Sequence, residues 1–370
     1  MTDPVPDEGD PDPERELEVL RERIRRLDVE LVERAAERIA LARKVGEAKR
    51  RRGQATVDYG QERIVLERAR TAARERGLDA GVATDLFAGL IRAAVIAQDE
   101  DNLRASEAGA GRSAVVVGGA GRMGRWVARF LAAQGFDAQV LDPAADEAAN
   151  ATARAALPDA ALVLCSTPPA ATAALYAEWA AAGPPAGVVV DIASIKTPLV
   201  AAIRALQAAG GRVASIHPLF GPSTVLLRDA DVIVCDTGDD AATALVEELF
   251  AHTTARLVRM SLEEHDRVMA DLLSLAHATA IAFAAALPPD EHPVRSTTFR
   301  ALETLAANVV RESPDVYYEI QAMNPHSAAA LDRLRAAVER MSDALASRDP
   351  AAFRGLLDEG RRRTPAPGGS

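Results

Sequence analysis

The 370-residue chain reads as three successive parts. An all-α module comes first, then an α/β domain with a doubly wound, mostly parallel sheet, then a second all-α domain. Three observations predict this. Leu17, Leu20, Ile24, Leu27 and Leu31 recur at helical spacing, and neither Pro nor Gly interrupts before Gly46. Short apolar runs, rich in Val and Leu, then alternate with helical stretches between 113 and about 260. From Ser261 the pattern is helical to about 360.

Taken in order, residues 1–12 are Asp- and Pro-rich and read as a disordered tail. Asp12-Pro13-Glu14 supplies an N-cap, a Pro at the first helical position and an acid in the first turn. A helix of about 36 residues would extend about 54 Å. A small domain cannot cover it alone, so it needs other helices, such as those of a second chain. Two more helices, near 60–76 and 79–103, complete a module over 13–104, and 105–112 (ASEAGAGR) is a linker. Strands are expected at 114–117, 138–141, 161–165, 187–191, 212–216, 232–235 and 256–259, within a domain spanning 113–260. Ser261-Leu-Glu-Glu264 is a capping box that opens the helical domain 261–360, and 361–370 reads as a flexible tail.

Ser113 to Asp142 carries the strongest motif. A β-branched run ends in Gly119-x-Gly121-x-x-Gly124, a helix follows, and a second apolar run stops at Asp142. The glycines allow a tight turn, close approach of a pyrophosphate, and close helix–strand packing, with the phosphates on the free N–H groups of the helix start. Asp142, about twenty residues on, is placed to bond a ribose and to repel a 2′-phosphate. This is a Rossmann arrangement that selects NAD. Arg122 and Met123 inside the turn, and Ser166 after the third strand, belong to the same cofactor site.

A net charge of −11, with no basic stripe interleaved with aromatics, argues against a nucleic-acid surface. No apolar run reaches membrane-spanning length and the acidic N-terminus has no signal-peptide core, so a cytoplasmic protein is expected. Cys165 and Cys235 each end an apolar run and read as buried thiols; no metal site is expected.

Ligands of such sheets bind beyond the carboxyl ends of the strands. Three polar clusters fall there: Ser166-Thr167-Pro168, Asp191 to Lys196 with Ser194 between, and His217-Pro-Leu-Phe-Gly-Pro222. His217 is either held at the open sheet edge or packed beside its turn. His252, His292 and His326 read as surface residues. His265 and His277 are twelve residues apart, about 120° around a regular helix, so they are not expected to share a site. In the first helix Arg38 and Lys49 share a face, whereas Arg21 lies about 100° and about 25 Å from Arg38 and cannot reach the same pocket within one chain. These cations equally fit a solvated helical face.

At this point the chain resembles the bifunctional chorismate mutase–prephenate dehydrogenases. LRERIRRLDVELVERAAERIALARKVGEAKR is similar to the first mutase helix, while VVGGAGRMGR, VVVDIASIKTPL, SIHPLFGP and EEHDRVMA resemble prephenate dehydrogenase. The resemblance implies a homodimer acting on chorismate and prephenate. In its mutase site, Arg38 and the partner chain's Arg21 would hold the carboxylates. Lys49 and Gln98 would donate to the ether oxygen, and Glu62 would bind the ring hydroxyl. In its dehydrogenase site, His217 would take the hydroxyl proton, with Ser194 beside it, Arg300 as carboxylate clamp, His277 as a second histidine, and the C-terminal helices as a dimerisation domain. The chain departs from that pattern at Gln61, where the family has Arg beside the Glu, at Ala94, where it has Ser, and at STVLLRD after Pro222. The alternatives are a 4-amino-4-deoxyprephenate dehydrogenase of a secondary pathway, an arogenate dehydrogenase, an oxidoreductase of another Rossmann family, and a mutase-like module serving only for dimerisation.

Overall fold

The computed structural model describes residues 13–224, 227–228, 230–288, 294–311 and 313–364. The expected tail at 1–12, His292 and most of the expected tail at 361–370 lie outside these, although the last helix runs on to Arg363. The chain divides into two compact units. One comprises the residues up to 108 together with 223–230 and 250–255; the other comprises the remainder.

The first unit is built on α1 (Pro13–Arg51), α2 (Tyr59–Glu75) and α3 (Ala80–Ser106). Asp58 caps α2 by accepting from the Gln61 amide, and Asp79 caps α3 through the Gly81 and Val82 amides. α1 runs straight through Gly46, the first residue to interrupt its apolar pattern. The glycine is there for close approach: a Cβ on it would stand 2.8 Å from Cγ of Gln98 on α3. Arg43 pairs with Asp101 at 2.7 Å and Arg50 donates to Asn102 at 2.7 Å, so the second half of α1 is bound to α3. Leu17, Leu20, Ile24, Leu27 and Leu31 in its first half are all about half exposed. The stripe that predicted the helix is uncovered within one chain.

The second unit holds a seven-stranded sheet in the order β2-β1-β3-β4-β5-β6-β7. The strands are β1 (Ser113–Val117), β2 (Asp137–Leu141), β3 (Leu162–Cys165), β4 (Val188–Asp191), β5 (Arg212–Pro218), β6 (Asp231–Asp236) and β7 (Arg256–Ser261). Neighbours are parallel except β5 and β6. That antiparallel ladder continues through His217↔Ile233 and Pro218↔Val232, so β5 extends past its expected end and fixes His217 within the strand. Val115, Val163, Val189 and Val213 are fully buried, as strands covered on both faces require. The covering helices are α4 (Arg122–Ala133), α5 (Glu147–Ala156), α6 (Pro169–Ala182), α7 (Val200–Ala208) and α8 (Asp240–Phe250). α9 (Leu262–Met269) starts at Ser261, whose hydroxyl accepts from the Glu264 amide at 3.0 Å. Further helices follow: α10 (Ala276–Ala286), α11 (Thr297–Val310), α12 (Pro314–Met323), α13 (Ser327–Ala346) and α14 (Pro350–Arg363).

Two runs, α3 and Leu262–Ala286, are long and apolar enough to cross a membrane by length and composition, each at a mean hydropathy of 1.6. This differs from the expectation that no run reaches that length. α3 carries the ion pairs to α1, and the second run contains the buried His265 and Asp266.

Candidate active sites

β1, β3, β4 and β5 run parallel, so their carboxyl ends meet along one edge, which gathers the polar clusters expected there. At the end of β1, Gly118 takes φ +78° and Gly124 packs so closely that a Cβ would lie 2.2 Å from the Gly118 carbonyl oxygen. Gly121 precedes the first residue of α4, Arg122, and no side chain caps that helix start. Arg122 is exposed and Met123 half-buried. Asp142, just past β2, accepts from the Ala120 amide at 3.0 Å, so its carboxylate lies against the glycine turn. The Ser166 amide bonds the Val117 carbonyl at 2.8 Å, which holds β3's end beside the turn. The result is a cradle of small residues, an open helix N-terminus and one acid, the donor set that a dinucleotide requires.

Farther along the edge is a cavity of about 570 Å³, lined by Ser194, the His217–Pro222 stretch, His277, Asn308, Ser313 and Tyr317 among others. Phe220 packs edge-on against Trp126 of α4, with ring centroids 4.9 Å apart, so the cavity wall leans on the helix that follows the glycine turn. His217 is buried at the back. Its Nδ1 is 2.9 Å from Nε2 of His265, whose Nδ1 is 2.8 Å from Oδ1 of Asp266. Asp266 also accepts from the Lys196 amide at 2.8 Å, the Thr197 amide at 2.7 Å and the Thr197 hydroxyl at 2.6 Å.

This chain of contacts fixes the protons. Burial alone would raise the Asp266 carboxyl, but the hydrogen bonds from His265, Thr197 and the two amides outweigh it and keep it below the ordinary carboxylate range. The ionised Asp266 accepts a hydrogen bond from His265 Nδ1–H. His265, held neutral by burial, then offers the Nε2 lone pair to His217. His217 must donate from Nδ1, which leaves its Nε2 unprotonated. Burial first, then the electrostatic influence of His265 and Lys196, pushes His217 well below its ordinary 6.5, so it is a neutral base at neutral pH.

Sequence reasoning missed His265, Asp266 and Lys196. The expectation that His265 and His277 serve no common site is corrected. Ala270–Leu275 is a π-helical segment, which shifts the phase between them. His265 stands behind His217, while His277 reaches the cavity and packs on Tyr317 with centroids 4.5 Å apart. Lys196 is fully buried and bonds Asp191 at 2.6 Å and the Ile216 carbonyl at 2.7 Å, pinning β4 to β5 one residue before His217. Arg300 is exposed near the start of α11 and does not line the cavity; Asn308, two turns later, does. No Lys or Arg is among the described residues lining it.

In the helical unit, Arg38 donates to the Leu90 carbonyl at 3.1 Å, Lys49 to the Thr56 carbonyl at 3.0 Å, and Gln98 to the Ala42 carbonyl at 2.6 Å. Ala42 is one turn beyond Arg38, so Gln98 enters between the two cations. Arg21 is exposed in the uncovered half of α1. Glu62 on α2 accepts two bonds from Arg228, a partner that no local pattern could reveal.

Residues 20–99 match the chorismate mutase type II family, 128–259 the nucleotide-binding domain of prephenate dehydrogenase, and 284–355 the TYRAAT1-like C-terminal domain. The T-protein of Enterobacter agglomerans is 28% identical over 337 residues, covering 90% of this chain and 87% of that one. The 4-amino-4-deoxyprephenate dehydrogenase of Streptomyces pristinaespiralis is 30% identical over 264 residues, 66% of this chain and 88% of its own. Among solved structures, the prephenate dehydrogenase of A. aeolicus in complex with hydroxyphenyl propionate and NAD+ aligns with a TM-score of 0.55 at 18% identity, covering 68% of this chain and 96% of that one.

Proposed function

This chain belongs to the prephenate dehydrogenase family, here joined to a chorismate mutase segment, and we propose that its two units convert chorismate to prephenate and then prephenate to 4-hydroxyphenylpyruvate. The cofactor is NAD. The glycine turn, the uncapped start of α4 and Asp142 would hold it, with Arg122, Met123 and Ser166 alongside; when bound, it accepts the hydride from ring carbon C4. The observation that carries the dehydrogenase reading is the His217–His265–Asp266 chain opening on the cavity. His217 Nε2 takes the proton of the C4 hydroxyl as that carbon becomes a carbonyl. The ring carboxylate then leaves as CO2, and its bonding electrons aromatise the ring. His265 and Asp266 hold His217 in the one tautomer that can do this, and the buried wall keeps its lone pair from water. Ser194 lies beside the hydroxyl and His277 and Asn308 face the rest of the substrate, while Arg300, the expected carboxylate clamp, is not among the described residues lining the cavity.

The mutase step needs no proton transfer, only positioning and charge complementarity. Arg38, Lys49 and Gln98 supply these from one seam, with Glu62 for the ring hydroxyl. Arg21 completes the site from a second copy, whose helices cover the exposed leucines of α1. The enzyme is thus read as a cytoplasmic homodimer. The test is NAD+ reduction by the full chain with chorismate, prephenate and the 4-amino analogue side by side. Reduction with prephenate, and with chorismate after conversion, is expected. Turnover of the amine alone would transfer the chain to the activity named for its Streptomyces relative, and no reduction with any of the three would end the dehydrogenase reading.

A further inference from the structure

Glu62 does not stand alone in the helical unit. Arg228 grips it with two parallel bonds, Nη1 to Oε1 and Nη2 to Oε2, both 2.8 Å. The pair is largely shielded, at 15% and 19% side-chain exposure, and the guanidinium lies over the Tyr59 ring, 5.0 Å from its centroid. Arg228 is 166 residues from Glu62 in sequence, in the segment 223–230 that packs with the helical unit although it follows the HPLFGP stretch.

We propose that Arg228 is a positioning residue of the mutase site, holding Glu62 in one orientation and supplying the positive charge that its neighbour Gln61 lacks. The proposal rests on the mutase reading given above. A bare carboxylate beside a dianionic substrate repels it, and a fork-to-fork guanidinium cancels that charge with fixed geometry. A carboxylate offers about four acceptor positions, so two remain on Glu62 for a ring hydroxyl. Gln61 cannot do this work: its side chain is neutral and exposed, and only its backbone N–H is engaged, by the Asp58 cap. It follows that the helical segment cut at the 105–112 linker lacks one of its working cations.

Chorismate turnover of the full chain tests this with Arg228→Ala, Arg228→Lys and the double variant Arg228→Ala/Gln61→Arg, with dehydrogenase rate and thermal unfolding as checks on folding. Arg228→Ala should lose about 10- to 100-fold in kcat/KM, mainly through KM, as the loss of a charge-assisted contact implies. Lysine should recover only part, because a point charge cannot fork, and the added Gln61→Arg should recover at least about tenfold. Unchanged mutase kinetics in Arg228→Ala overturn the proposal. A loss that Gln61→Arg does not relieve also overturns it, leaving Arg228 as a fold contact. A wild-type chain that turns over prephenate but not chorismate removes the mutase reading, and this proposal with it.

Discussion

His265→Phe isolates the tautomer relay, because it removes the acceptor of His217 Nδ1 while keeping the site apolar and filled. In the wild-type arrangement the 2.9 Å contact ties the His217 proton to Nδ1. Without it, a buried N–H has no partner, which costs about 1–3 kcal/mol. The imidazole escapes by moving the proton to Nε2, the very position that must be vacant to accept one. At 1.36 kcal/mol per factor of ten, kcat should fall by about 5- to 150-fold, with KM for NAD+ within about twofold because the glycine turn is untouched. Burial is the first cause of the low His217 value and the Phe side chain keeps the site apolar, so the acid limb of kcat should stay well below 6.5. His265→Asn, whose carbonyl oxygen can still accept from Nδ1, should retain more activity than the Phe variant. The assay is NAD+ reduction with prephenate across pH 4 to 9. Unchanged kcat in a folded His265→Phe enzyme would refute the relay.

Asp142→Ala combined with a basic neighbour should admit NADP+, and because the same carboxylate braces the Ala120 amide, KM for NAD+ should rise by about tenfold or more; steady-state KM values for both cofactors decide it. Lys196→Met should destabilise the fold by about 3–5 kcal/mol by leaving Asp191 buried and uncompensated, whereas Lys196→Met/Asp191→Leu should recover much of this in denaturant unfolding. Burial pushes the Asp99 carboxyl up to about 6, partly offset by the Thr254 hydroxyl. The native state therefore holds a proton that the unfolded chain releases near 3.8, so stability falls as pH rises from about 4 to 6. Asp99→Asn should raise stability at pH 8 by about 1–2 kcal/mol after allowing for partial solvation, seen as a higher thermal midpoint, and leave it unchanged at pH 4.

The central strands were readable from their apolar runs, because strands covered on both faces leave an unbroken signal, and the less buried β2 and β7 from runs of the same kind. Only their ends moved, as where the antiparallel β6 extended β5 to Pro218. The helices of the first unit were equally plain, but the role of Gly46 was not, since a glycine in a helix reads as a stop until the neighbouring helix is seen against it. The long Arg21–Arg38–Lys49 helix announced its cations without saying which of them act.

The sites show where sequence reading stops. His217, Ser194 and Asp142 follow directly from strand ends, since topology carries them to one edge. His265 could not be found that way, because helical phase was counted as uniform and one π-helical segment invalidates the count. A sequence offers no sign of that wider turn, yet the turn lets one helical run serve the site from two sides. The Arg228–Glu62 pair is invisible for a different reason: nothing in either local pattern depends on the other, and only the folded unit brings them together. Long-range polar pairing is thus the least legible level of this chain. It is also the level at which both candidate sites set their charge, through Asp266 behind His217 and through Arg228 upon Glu62.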